Sequence, residues 1–122
     1  MFDLKFHHVQ LTIPIGKEPA AKEFYCQILG FREIEKPEPL KPNGGFWLET
    51  GNIQLHIGVE DGVERWRTKQ HPAFETKDLI RLKKYLLSHN VELKTATPIP
   101  GFDRCYIYDP FGNRIELIQV IQ

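Results

Sequence analysis

The feature that most constrains this chain is an internal repeat. His8 falls 63 residues before His71, and each opens the first strand-like run of its half. Both halves then read strand, helix, loop and strand pair in the same order. Gly51-Asn52-Ile53-Gln54-Leu55 is echoed by Gly112-Asn113 and, after one extra residue, Ile115-Glu116-Leu117. Landmarks at a near-constant offset, in one element order, indicate a duplicated unit. A chain of 122 residues is then one globular domain, or two half-size modules sharing a core.

Within the first copy, Lys5 to Ile13 alternates, with Val9, Leu11 and Ile13 on one face and His8, Gln10 and Thr12 on the other. Pro19 marks a helix start, Ala20 to Leu29 is read as the helix, and Gly30 ends it. Pro37, Pro39 and Pro42 predict a loop, followed by strands near 45–49 and 52–58 and a polar connector to about residue 70. In the second copy His71 to Thr76 reads as a short strand. Asp78 caps a helix whose Leu79, Leu82, Leu86 and Leu87 recur at helical spacing, and Asn90 can end it. Strands over Arg104–Tyr108 and Arg114–Val120 flank the turn Asp109-Pro110-Phe111-Gly112-Asn113.

Alternation turns the repeat into a chemical expectation. If Val9 and Leu11, then Ile53, Leu55 and Ile57, then Ile115 and Leu117 face the helices, the opposite face carries His8, Gln54, His56 and Glu116. The repeat places His71 as it places His8. His8, Gln54, His71 and Glu116 are therefore expected to converge on one cavity. Imidazole, carboxylate and amide oxygen are ligands for a divalent transition ion such as Ni, Zn, Mn or Fe(II). On the same face His56, Arg104, Trp47 and Tyr106 are candidates for a substrate pocket, Arg104 as the grip for an anionic group.

Charge and composition exclude other classes. Sixteen basic and sixteen acidic residues leave no net charge and no basic stripe, against a nucleic-acid partner. No apolar run is long enough to span a bilayer, and the start lacks the pattern of a signal peptide, which leads to a cytoplasmic expectation. Cys26 and Cys105 read as small buried hydrophobes rather than a disulfide or thiolate site.

The His8-Val9-Gln10-Leu11 run, the Phe24-Tyr25-Cys26-Gln27-Ile28-Leu29-Gly30-Phe31 segment and Tyr108-Asp109-Pro110-Phe111-Gly112-Asn113-Arg114-Ile115-Glu116-Leu117 resemble the vicinal oxygen chelate superfamily. That superfamily includes glyoxalase I, extradiol dioxygenases, fosfomycin-resistance enzymes and bleomycin-binding proteins. The resemblance covers nearly the whole chain. It implies an α+β fold in which two βαβββ modules, about 5–58 and 71–122 of a single domain 1–122, form a curved mixed sheet around a shared cavity. It also implies that His8, Gln54, His71 and Glu116 are metal ligands, with Glu116 doubling as catalytic base. Where bacterial glyoxalase I has a glutamate, this chain has Gln54, which brings no charge and cannot act as a base.

The function expected is that of a glyoxalase- or dioxygenase-like, metal-dependent lyase, isomerase or oxygenase. Its substrate is a small molecule with adjacent oxygens. The alternative is a metal-free small-molecule binding protein of the bleomycin-resistance type. Open sheet edges lead to the expectation of a homodimer.

Overall fold

The computed structural model describes residues 2–121. The chain divides into two compact units, residues 1–63 and 64–122. Each unit carries one four-stranded mixed sheet, as the α+β expectation requires.

Unit 1 contains β1 (His8–Ile13), α1 (Glu18–Lys22), β2 (Arg32–Ile34), β3 (Phe46–Thr50) and β4 (Ile53–Val59). The sheet order is β1-β4-β3-β2; β1 runs parallel to β4 and the other pairs are antiparallel. Ile13, Phe46, Leu48, Leu55 and Ile57 bury on the helix side with Ala21, Phe24 and Tyr25. Loss of water contact by these side chains is the main stabilising term.

The helix expected over Ala20 to Leu29 is not a uniform α-helix. After α1 the chain widens into π turns over Glu23–Ile28, and Leu29 N–H reaches the Phe24 carbonyl at 3.0 Å. Phe31 N–H returns to the Tyr25 carbonyl at 2.9 Å, and Gly30 takes φ +79°, which glycine adopts without a Cβ clash. Within these wider turns the consecutive Phe24 and Tyr25 are both buried. The proline-rich loop also carries a helical turn, Glu38–Asn43.

Unit 2 contains β5 (Ala73–Glu75), α2 (Leu79–Ser88), β6 (Lys94–Thr95), β7 (Phe102–Tyr108) and β8 (Arg114–Val120), in sheet order β5-β8-β7-β6. This is the order of unit 1 repeated, with β5 parallel to β8. Asp78 caps α2 by accepting from Arg81 N–H at 3.1 Å, and Asn90, at φ +62°, follows its end. Leu79 and Leu86 bury completely, while Leu87 stays 56% exposed, so the apolar stripe is narrower than the leucine spacing suggested. Gln119 ties the helix start to the sheet by accepting from Leu79 N–H at 2.8 Å. The expected strand over His71–Thr76 shrinks to three residues, and His71 precedes it.

The hairpin between β7 and β8 closes on Asp109, 1% exposed, whose Oδ1 accepts from the N–H groups of Phe111 (2.9 Å) and Asn113 (2.8 Å). Its Oδ2 accepts from Asn113 Nδ2 at 2.7 Å. This turn fixes where β8, and with it Glu116, begins.

Candidate functional site

In unit 1 the face away from the helix gathers His8, Gln54, His56 and Trp47. His8 pairs with Gln54 across the parallel ladder, and Trp47 pairs with His56 across the hairpin. The His56 ring is sandwiched, with Trp47 at 3.8 Å and 2° on one side and His8 at 4.1 Å and 19° on the other. His56 Nε2 lies 2.8 Å from Gln54 Oε1. An amide oxygen only accepts, so the ring proton sits on Nε2 and the lone pair on Nδ1. Burial, followed by electrostatic repulsion from neighbouring His8, His7 and Lys36, pushes the His56 pKa down to about 4. The ring is therefore neutral at physiological pH, as a metal ligand must be. His8 Nδ1 is engaged by His7 Nδ1 at 2.9 Å, which leaves His8 Nε2 as its ligand atom.

In unit 2 the corresponding face gathers His71, Glu116, Arg104 and Tyr106. Glu116 is 8% exposed, and its Oε1 lies 3.0 Å from His71 Nε2. His71 Nδ1 donates to the Lys69 carbonyl at 2.7 Å, which turns Nε2 toward Glu116. The Arg104 guanidinium stands 3.6 Å from the same carboxylate oxygen. Most of its donors are already committed: Nε and Nη2 to the Thr97 carbonyl (3.1 and 2.7 Å) and Nη1 to the Tyr106 hydroxyl (2.8 Å). Tyr106 also meets the His71 ring edge to face at 5.3 Å.

The ladder registers decide which residue of unit 1 answers to Glu116. Opposite Glu116 on β5 stands Ala73, two residues after His71. The residue two after His8 is Gln10, and opposite Gln10 stands His56. The hairpins agree, since Glu116 pairs with Tyr106 and His56 with Trp47, an aromatic residue in both cases. Taking His8 and His71 as equivalent, His56 holds the place of Glu116, and Gln54 that of Arg114. Alternation alone could not reveal this, because a shift of two residues keeps the same face. The sequence echo that aligned Gln54 with Glu116 needed a one-residue gap at the turn.

The donor chemistry fits a divalent ion. Two ligands about 2.1 Å from a metal and at right angles to each other stand about 3 Å apart. The Nε2–Oε1 separation of His71 and Glu116, 3.0 Å, has that value. Among the described residues no three His, Cys, Asp or Glu side chains are grouped to hold an ion.

A duplicated four-stranded mixed sheet, one per unit, defines a class of small α+β proteins. The family model of the Glyoxalase/Bleomycin resistance protein/Dioxygenase superfamily matches residues 5–117, and the chain belongs to that superfamily. A solved structure of a protein assigned to the glyoxalase family, from Bacillus anthracis, is 38% identical, with 98% of each chain covered and a TM-score of 0.92. A glyoxalase/dioxygenase from Nostoc punctiforme is 21% identical over 97% of this chain and 92% of its own, with a TM-score of 0.79. A lactoylglutathione lyase from Agrobacterium tumefaciens is 18% identical over 98% and 96%, with a TM-score of 0.76. At such identities the last two show the fold alone. Comparison with curated protein sequences gives no match. Among the described residues no helix is long and apolar enough to cross a membrane.

Proposed function

We propose that this chain is a metal-dependent enzyme of the glyoxalase/dioxygenase type, acting on a small substrate with adjacent oxygen atoms. His71 and Glu116 are the donor pair of unit 2; in unit 1, Gln54 orients His56 beside His8. The observation that carries this reading is the His71–Glu116 pair, spaced as two adjacent ligands and held there by the Lys69 carbonyl. A divalent ion in such a site supplies Lewis acidity toward substrate oxygens. Glu116 is the single anionic member of the donor set and the one able to take a proton from substrate carbon or oxygen. Trp47 stacks on His56 and holds that ring in place, while Arg104, tied to the Tyr106 hydroxyl, stands 3.6 Å from the Glu116 carboxylate. The protein works as a cytoplasmic homodimer in this account.

A second reading rests on Arg104. A guanidinium 3.6 Å from Glu116 supplies the positive partner that a buried carboxylate needs when no metal is bound. The chain is then a metal-free small-molecule binder of the bleomycin-resistance type. Calorimetric titration with Ni, Zn, Mn and Fe(II) separates the two. The enzyme reading expects one ion per chain at micromolar or tighter affinity and about a hundredfold loss in Glu116→Gln. Binding no tighter than roughly millimolar would favour the second.

A further inference from the structure

Arg114 was not among the residues singled out from the sequence, yet it opens β8 on the same face as Glu116, two residues away. Its Nε donates to the Tyr108 hydroxyl at 3.1 Å. Its guanidinium carbon lies 4.8 Å from the Tyr106 ring centroid and 5.8 Å from that of Tyr108. These contacts fix the group without neutralising it, since no carboxylate among the described residues comes within ion-pairing distance. Arg104 is the opposite case, its donors taken by Thr97, Tyr106 and Glu116. A positioned guanidinium with both terminal nitrogens open is the fork that recognises an oxyanion by two parallel hydrogen bonds.

Next to Tyr108 lies a cavity of about 390 Å³, lined by Trp66, Glu92, Lys94 and Tyr108. Lys94 and Glu92 pair at 2.7 Å and cancel each other's charge. Trp66 is 61% exposed, with its ring 5.4 Å from Tyr108. It sits over Gly112, where a Cβ would come within 2.7 Å of the indole, so a side chain there would displace it. The exposed indole and the Tyr108 ring, in contact with each other, form an apolar wall of the cavity against which a flat group can lie.

We propose that Arg114 and the Trp66–Tyr108 wall together bind a planar organic anion, the oxyanion on Arg114 and the flat body against the two rings. The inference deepens the reading above by naming the charge and shape of the substrate, and rests on it only for the role of Glu116. Its test separates the two readings, because the full chain is titrated both as purified and after chelator treatment.

Cinnamate and its neutral isostere cinnamamide are the probes, followed by calorimetry and by the Trp66 indole N–H resonance. Cinnamate is expected to bind saturably and to shift that resonance, with cinnamamide at least about tenfold weaker. Arg114→Met should lose about tenfold for cinnamate and little for cinnamamide, Arg114→Lys should fall between, and Trp66→Ala should weaken both. The isostere comparison uses the unaltered protein and holds even where Arg114→Met fails to fold. Equal affinity for the two probes, no saturation below about 10 mM, or cinnamate binding unchanged in a folded Arg114→Met would overturn the proposal.

Discussion

Replacing Asp109 tests whether the β7–β8 turn sets the geometry of the second unit. The carboxylate is 1% exposed and accepts at least three hydrogen bonds, two of these from backbone N–H groups. Hydrogen bonds to a charged acceptor contribute about 1.5–3 kcal/mol each, and a buried donor left without a partner costs about 1–3 kcal/mol. The three share one carboxylate and do not add fully, so Asp109→Ala should cost about 3–5 kcal/mol. For a chain of this size that corresponds to a fall of roughly 10–20 °C in Tm. Asp109→Asn keeps the oxygen facing the two N–H groups but sets an amide against Asn113 Nδ2, and should cost about 1–2 kcal/mol. Thermal unfolding followed by circular dichroism measures both. Because the turn starts β8, the Ala variant should also weaken metal binding through Glu116. An Asp109→Ala protein melting within about 3 °C of the unaltered chain would refute the reasoning.

Acid should destabilise the chelator-treated protein through His56. Its folded pKa of about 4 lies below the usual value, so the unfolded chain takes the proton first. The stabilisation is complete above about pH 6.5, falls by about 3 kcal/mol as pH drops to about 4, and the slope should vanish in His56→Gln measured by urea unfolding. Gly45→Ala should prevent accumulation of folded protein in a solubility assay, because φ is +79° and an added Cβ would overlap the Ile57 carbonyl oxygen. Arg104→Met should lower Tm and raise metal affinity, since it removes a cation beside Glu116; weaker metal binding would show instead that Arg104 supports the ligand geometry.

Much of the fold was legible because strand alternation is local. Val9, Leu11 and Ile13, or Ile115 and Leu117, declare their face without reference to any partner, and the Asp109–Asn113 turn carries its own chemistry. β2 and β6 were missed because edge strands of three and two residues are too short to show alternation. The π turns after α1 were missed because Phe24 and Tyr25 fit a helical stripe until the hydrogen bonds show a five-residue spacing. At the candidate site, alternation put His8, Gln54 and His56 on one face, and the structure brings His71 within 3.0 Å of Glu116. Alternation could not show that His56 holds the place of Glu116, since that correspondence lies in cross-strand register. Arg114 was overlooked for a related reason: what marks it is the want of a carboxylate partner, and partners are set by tertiary packing.

The central claim is that His71 and the Glu116 carboxylate hold one divalent ion. X-ray absorption of the zinc-loaded protein counts the imidazoles directly. With one ion per chain, the account predicts a first shell of nitrogen and oxygen near 2.0–2.1 Å that includes imidazole, as His and carboxylate ligands to zinc require. His71→Gln should lose one imidazole, whereas Gln54→Ala should lose none. A shell without imidazole scattering, or an imidazole count unchanged in His71→Gln, would contradict it.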